Sequence, residues 1–205
     1  MADAEDHTDP KIILIGLNKT ATRSFHEMFL ASGIPSVHWR DERERHIAPA
    51  MMSNIALRRP PLDGFGSARA FSDLTYITKR FVMEGAIFFR ELRAAYPNAY
   101  FILNSRPCDD WLNSRAAHAG GTMLNRTIEA TGLGRTGVIE GWRRFHHQHH
   151  KNVRSHFKDY ERFIEYRIDR DDPVQIRSFL APDFDVETKH WGRFNQRAQN
   201  SGLVA

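Results

Sequence analysis

The sequence predicts an α/β protein, a three-layer α/β/α arrangement with a mostly parallel central sheet. Three short apolar runs support this prediction, at residues 12–15, 99–103 and 162–168. The first two have the unbroken apolar character of strands that are buried on both faces, and the third alternates. Helical patterns separate the runs. Strands that alternate with helices indicate a parallel sheet with helices on both sides.

The other elements are expected at less distinctive patterns. Residues 35–39 suggest a second strand, and residues 70–77 suggest a strand end or an irregular segment near the site. The charge run over residues 40–46 favours a solvated helix face, with a substrate-facing helix as the alternative. Further helices are expected over residues 47–57, 80–95, 107–114, 138–157 and 171–180, and a short helix or a mobile lid over residues 122–131.

The composition limits the kind of protein. With 205 residues, one domain over residues 10–205 is expected, preceded by a disordered tail over residues 1–9. Cys108 is the only cysteine, so no intramolecular disulfide can form, as is usual in a reducing compartment. The acidic N-terminus is unlike a signal peptide, and no apolar run approaches the roughly 20 residues of a membrane span. We therefore expect a cytoplasmic protein.

The net charge of +4 and the pI near 9.4 favour anionic ligands. We find no nucleic-acid-binding motif in the sequence and expect no nucleic-acid partner.

A short segment between the first strand and the next helix has the character of an anion site. Gly16 ends the strand, and hydroxyl or cationic side chains follow it at Lys19, Thr20, Thr22, Arg23 and Ser24. Free N–H groups of the first helical turn and the helix dipole both attract negative charge there. The segment is not a Walker A motif, because only two residues separate Gly16 from Lys19 and no glycine precedes the lysine.

A second candidate anion site follows the strand at residues 99–103. Arg106 stands at its carboxyl end, where open parallel sheets bind ligands, and Ser114 lies two helical turns further on. Both side chains can converge on one phosphate if the helix leans over the strand end. The alternatives are a surface ion pair of Arg106 with Asp109 or Asp110, and a plain exposed helix position for Ser114.

Together these motifs resemble those of the sulfotransferases that use 3′-phosphoadenosine 5′-phosphosulfate (PAPS). The segment from Gly16 to Ser24 resembles their 5′-phosphosulfate loop, although Ala21 stands where glycine is usual. Arg106-Pro107 and Ser114 match the spacing of their 3′-phosphate site. The resemblance covers most of residues 11–180. It implies a fold like that of the P-loop nucleoside-triphosphate hydrolases, with PAPS as sulfuryl donor, no metal, and a hydroxyl-bearing acceptor, possibly a carbohydrate.

The resemblance also implies roles for individual residues. Lys19 would stabilise charge on the bridging oxygen of the departing nucleotide, and Arg106 with Ser114 would hold the 3′-phosphate. The 5′-phosphosulfate would be held by Lys19, Thr20, Ala21, Thr22, Arg23 and Ser24. Asp73 is the first candidate for the general base, with a turn or capping aspartate as the alternative reading, and His38 is the second candidate.

Other interpretations stay open at this point. A P-loop kinase for a nucleotide or small molecule is one, and a catalytically silent nucleotide-binding protein of the same fold is another. The histidine cluster from His146 to His150 favours a packed or solvent-facing helix over a metal site, because no further ligands are evident. In the C-terminal tail, Lys189, Gly192 and Arg193 are candidates for a last nucleotide contact. The sequence does not identify the acceptor or the oligomeric state.

Overall fold

A computed structural model describes residues 9–192 of the chain. The strands are β1 (Ile12–Leu14), β2 (Ser36–His38), β3 (Ala70–Ser72), β4 (Thr75–Ile77), β5 (Val82–Glu84), β6 (Tyr100–Ser105) and β7 (Phe163–Arg167). The α-helices are α1 (Thr22–Ala31), α2 (Ile47–Ala56), α3 (Phe89–Ala95), α4 (Cys108–Ala116), α5 (Thr122–Thr131), α6 (Arg135–Phe157) and α7 (Val174–Leu180).

Five strands form the central sheet in the order β2-β3-β1-β6-β7, and every neighbouring pair is parallel. Strand β1 lies in the middle, where Ile13 pairs with Phe71 of β3 on one side and with Phe101 of β6 on the other. Strands β4 and β5 form a separate antiparallel hairpin. The prediction of an α/β fold with a mostly parallel sheet is confirmed.

Both faces of the sheet are covered, which explains the unbroken apolar run of β1. Ile13 and Ile15 pack into one core cluster with residues of α2, α3 and the end of α6. Ile12 and Leu14 pack into the opposite cluster with residues of α1 and α7. All four side chains are at most 1% exposed. A run that is buried on both faces carries no polar alternation, and this is the pattern that the sequence shows.

A third apolar cluster supports the site from the side. It joins α4, α5 and α6 through Trp111, Leu112, Leu124, Val138 and Trp142, and it includes Leu17, three residues after the end of β1. This cluster fixes α4 and α5 beside the carboxyl ends of β1 and β6.

The predicted helix over residues 40–46 is wrong, because this segment forms a loop. Arg40 makes isolated β-bridges to His38 and His46. Within the loop, the Asp41 carboxylate accepts hydrogen bonds from the backbone N–H groups of Arg43 and Arg45, at 3.0 and 2.9 Å. An aspartate that binds backbone N–H groups just after it favours a turn over a helix.

The predicted helix over residues 80–95 is correct only in its second half. Val82–Glu84 forms β5, which pairs with β4, and helical structure begins with a 3₁₀ turn at Gly85–Phe88. Backbone pairing with β4 overrides the local helical pattern. A Cβ atom on Gly85 would lie 2.8 Å from the backbone oxygen of Leu74, so this close crossing needs a glycine.

The other helices lie close to their predicted positions. Residues 122–131 form α5, and α6 begins at Arg135, three residues before the predicted start. Among residues 9–192, no helix is long and apolar enough to cross a membrane. The predicted tail lies outside the described residues except for Asp9, which pairs with Arg69 at 3.1 Å.

Candidate active site

The segment that follows β1 turns sharply where it passes β6. The N–H group of Gly16 donates to Asn104 Oδ1 at 3.0 Å. A Cβ atom on Gly16 would clash with the backbone oxygen of Asn104. Only glycine permits this approach, and the turn therefore leaves the sheet at a fixed point.

Thr20 and Asn104 hold the interior of the loop. Asn104 Nδ2 donates to the Thr20 hydroxyl at 2.6 Å and to the Thr20 carbonyl at 3.0 Å. The Thr20 hydroxyl donates in turn to the carbonyl of Leu17. Thr20 is fully buried, and its side chain does not line the site cavity described below. Its side chain therefore shapes the loop from inside.

Asn18 ties the loop to α4. Its backbone carbonyl accepts from Trp111 Nε1 at 2.8 Å, and its side-chain oxygen accepts from the Arg115 guanidinium at 2.8 Å. All three residues are buried. Hydrogen bonds between buried groups are costly to leave unmade, so the loop is held in one conformation.

The N-terminus of α1 closes the loop and faces the cavity. Lys19 and Ala21 adopt left-handed backbone conformations, with φ of 65° and 60°. Glycine adopts this conformation at little cost, which explains why a glycine suits position 21. No acidic residue lies in the first turn of α1. No carboxylate in that turn therefore competes with an anionic ligand for the N–H groups at the start of the helix.

A cavity of about 1490 Å³ lies at this edge of the sheet. It brings together residues that are far apart in the chain, from the two candidate anion motifs and from the segments after β2 and β3. The predicted site residues that line it are Lys19, Ala21, Thr22, Arg23, Ser24, His38, Asp73, Arg106 and Ser114. Gly192 of the C-terminal tail lines it too, whereas Lys189 pairs with Glu187 and Arg193 lies outside the described residues.

Arg106 is directed towards the loop. Its guanidinium donates to the carbonyl of Lys19 at 3.3 Å. Asp109, one of its possible partners from the sequence, pairs with Arg143 at 2.6 Å instead. Ser114 lies half-buried on α4 and lines the same cavity. The two side chains thus line one cavity with the anion loop, although Arg106 follows β6 and Ser114 lies on α4.

Asp73 and His38 lie side by side and line the same cavity. His38 Nε2 is 3.9 Å from Asp73 Oδ2, and His38 Nδ1 is hydrogen-bonded to the Ser72 hydroxyl at 3.0 Å. Burial, reinforced by Glu84, raises the pKa of Asp73 to about 6. Burial, reinforced by His26, lowers the pKa of His38 to about 4. At pH 7 the pair is therefore a carboxylate beside a neutral imidazole, and both groups can accept a proton.

Lys19 has a neighbour that the sequence did not suggest. Its ammonium group donates to His118 Nδ1 at 3.1 Å. Burial lowers the pKa of His118, and the charges of Lys19 and Arg115 lower it further. A neutral imidazole accepts a hydrogen bond from an ammonium group, so the contact is favourable.

The histidine cluster of α6 serves packing. His146, His149 and His150 are buried, and His149 Nε2 donates to the carbonyl of Ile15 at 2.7 Å. The rings of His146 and His150 stack at 4.0 Å, and burial lowers their pKa values to about 4 and about 3. Within residues 9–192 no group of three or more His, Cys, Asp or Glu side chains is arranged to hold a metal ion.

Sequence reasoning missed five residues that shape this site: Asn18, Glu84, Asn104, Arg115 and His118. Their roles depend on contacts between distant segments, such as the 97 positions that separate Asn18 from Arg115. Asn104 had the clearest signal, because it is a polar residue at the end of an apolar strand.

The fold and the cavity define an α/β protein with a loop of hydroxyl and cationic side chains at the carboxyl edge of a parallel sheet. A family model, the sulfotransferase domain, matches residues 11–130, which is more than half of the chain. The chain therefore belongs to the sulfotransferase domain family, and sulfuryl transfer is the activity that this family supports. No curated protein shows significant similarity to the chain.

Proposed function

We propose that the protein transfers a sulfuryl group from PAPS to a hydroxyl group of an acceptor, possibly a carbohydrate. One observation carries the proposal: two separate cationic and hydroxyl-bearing motifs line one cavity together with the carboxylate of Asp73. The helix N-terminus and Lys19 offer a site for the 5′-phosphosulfate. Arg106 and Ser114 offer a site for a second phosphate, which PAPS carries at its 3′ position and ATP lacks.

The reaction follows from this arrangement. The acceptor oxygen attacks sulfur in line with the bond to the bridging oxygen, and that bond breaks to release 3′,5′-ADP (PAP). In this proposal Asp73 takes the proton of the attacking hydroxyl. Lys19 stabilises the charge that develops on the leaving oxygen. Catalysis of this kind relies on orientation and on charge stabilisation.

Nucleotide preference tests the proposal. Calorimetric titration without magnesium should show PAP binding more tightly than ADP or ATP. In the Arg106→Gln variant and in the Ser114→Ala variant, the affinity for PAP should fall about 10- to 100-fold, the usual effect of losing hydrogen bonds to a charged group. The affinity for ADP should stay the same, because ADP has no 3′-phosphate.

Arg143→Gln is the matched control for the arginine change, because Arg143 is exposed and does not line the cavity. Equal affinity for PAP and ADP in the unaltered protein would overturn the assignment of the 3′-phosphate site. Binding that requires ATP with magnesium would favour a kinase, and PAP binding without turnover on a broad acceptor panel would favour a silent nucleotide-binding protein.

The pH dependence of kcat/KM tests the assignment of Asp73 as the general base. The raised pKa of Asp73 means that its carboxylate is protonated as the pH falls through about 6. We expect kcat/KM to be constant above that pH and to fall about tenfold per unit below it. Asp73→Asn should lower kcat by about 10²- to 10⁴-fold, the usual contribution of a general base. Asparagine tolerates the left-handed backbone of position 73, where φ is 56°.

His38→Gln distinguishes the two candidate bases. If Asp73 is the base, this variant retains most of the activity, and its kcat/KM still falls below about pH 6. We call this fall the acid limb of the pH profile. If His38 is the base, the variant loses activity, and the acid limb of the unaltered protein lies near pH 4, because burial lowers the pKa of His38 to about 4.

A further inference from the structure

A buried ion pair lies behind the cavity and contacts two of its walls. Glu84 ends β5, and its carboxylate pairs with the guanidinium of Arg115 on α4. The side chains are 12% and 1% exposed, and neither residue lines the cavity. Because removing charges from water is costly, a buried ion pair is weak evidence of stabilisation and is better explained by the arrangement that it fixes.

Arg115 faces the anion loop. While one arm of its guanidinium holds Glu84, the other donates to Asn18 Oδ1 at 2.8 Å. The guanidinium lies over the rings of Trp142 and Trp111, at 4.6 and 5.1 Å from their centroids. The planar group is thus fixed by aromatic rings and by two oxygens. Asn18 immediately precedes Lys19, so this contact positions the backbone that carries the lysine.

Glu84 faces the segment that carries the candidate base. Its second carboxylate oxygen accepts from the Thr75 hydroxyl at 3.0 Å. The Thr75 backbone N–H is hydrogen-bonded to the Asp73 carboxylate. The next residue, Gly85, donates its N–H to the Leu74 carbonyl at 2.6 Å. Glu84 therefore holds the turn from Asp73 to Thr75 from behind.

We propose that Glu84 and Arg115 are positioning residues that join the anion loop to the turn bearing Asp73 and set the charge balance around its carboxylate. The proposal rests on the proposed function for its catalytic meaning. Through this one pair, the position of Lys19 and the readiness of Asp73 to accept a proton depend on each other. The pair acts through other residues and does not itself touch the reacting groups.

The charges around Asp73 agree with this role. After burial, the Glu84 carboxylate is the largest influence that raises the pKa of Asp73, while Arg115 and Lys19 lower it. His38 is a further titratable neighbour, with its Nε2 3.9 Å from Asp73 Oδ2, and it is neutral at pH 7. Removing the negative charge of Glu84 while keeping its hydrogen bonds should therefore lower the pKa of Asp73.

Glu84→Gln tests the proposal, because glutamine is nearly isosteric: its amide oxygen can accept from Arg115, and its amide N–H can donate to the Thr75 hydroxyl oxygen. Carbon-13 NMR titration of the Asp73 carboxyl should show its pKa falling by about half a unit or more. The acid limb of kcat/KM should move to lower pH by the same amount. A protein in which Glu84 served only structure would lose stability without moving the acid limb. Glu91→Gln is the matched control, because Glu91 is exposed on α3 and should shift neither quantity.

Arg115→Lys tests the contact between Arg115 and Asn18 of the anion loop. This variant also keeps the proposal testable if Glu84→Gln fails to fold. Lysine keeps the charge but lacks the planar fork that binds Asn18 and Glu84 together. We expect PAP affinity to fall about tenfold, while Arg135→Lys, an exposed change on α6, leaves it unaltered. Unchanged PAP affinity in Arg115→Lys would overturn the claim that Arg115 positions the anion loop through Asn18.

The outcomes separate this inference from the proposed function. An unshifted Asp73 titration in Glu84→Gln, in a protein that turns over PAPS, would overturn the inference alone. A shifted titration in a protein that does not turn over PAPS would overturn the proposed function and support the effect of Glu84 on Asp73.

Discussion

Lys19→Ala should abolish sulfuryl transfer, with kcat falling about 10³-fold or more, since a positioned cation that stabilises developing charge is among the largest contributions to such catalysis. Lys19 lines the cavity beside the N-terminus of α1, and its ammonium group donates a hydrogen bond to the imidazole of His118. Single-turnover kinetics with PAPS would measure the step directly. PAP affinity should fall much less than kcat, because the charge on the leaving oxygen develops in the transition state.

Two further variants control this experiment. Lys19→Met keeps the aliphatic stem and removes only the charge, so it should be as inactive as Lys19→Ala. Lys151→Ala makes the same change at an exposed position of α6 and should leave kcat unaltered. Full activity in Lys19→Ala would contradict the catalytic role that we assign to Lys19.

Gly16→Ala should have the largest effect on stability. The added methyl group would clash with the backbone oxygen and the side chain of Asn104, and neither can withdraw without breaking the pairing of β6 or the hydrogen bonds to Thr20. We expect the free energy of unfolding to fall by about 3 kcal/mol or more, beyond the usual cost of overpacking by one methyl group. Urea unfolding monitored by tryptophan fluorescence measures this loss.

Gly141→Ala is the matched control for Gly16→Ala. Gly141 lies inside α6, and a Cβ atom there meets nothing within 4 Å. Because alanine favours a helix over glycine, this variant should gain about 0.5–1 kcal/mol of stability. Equal stabilities of the two variants would show that Gly16 has room for a side chain and would overturn the account of the loop.

Local chemistry in the sequence was sufficient for the sheet and for the anion motifs. The apolar run of β1 needs two covered faces wherever it lies, and the segment from Gly16 to Ser24 carries its own signal of hydroxyl, cationic and glycine residues. Arg106 and Ser114 were predicted by their place relative to one strand end. Patterns of this kind depend on neighbours in sequence, and so they can be read without the fold.

The sequence alone failed where pairing between segments decided the outcome. Residues 82–84 have a helical pattern, yet they form β5 because β4 offers a backbone partner. The charge run at residues 40–46 became a loop because Asp41 binds backbone N–H groups. Local propensities are weak compared with tertiary hydrogen bonding, so such segments follow their surroundings.

The sequence by itself determined that this chain is an α/β protein of the sulfotransferase kind, and it predicted a loop for a sulfate- or phosphate-bearing ligand. Only the tertiary structure decided that Asp73 and His38 share the cavity with that loop, that the Thr20 side chain turns inward, and that a buried Glu84–Arg115 pair stands behind both walls. The physical reason is that the reach of a side chain is a few ångströms, whereas these partners are tens of positions apart in the chain.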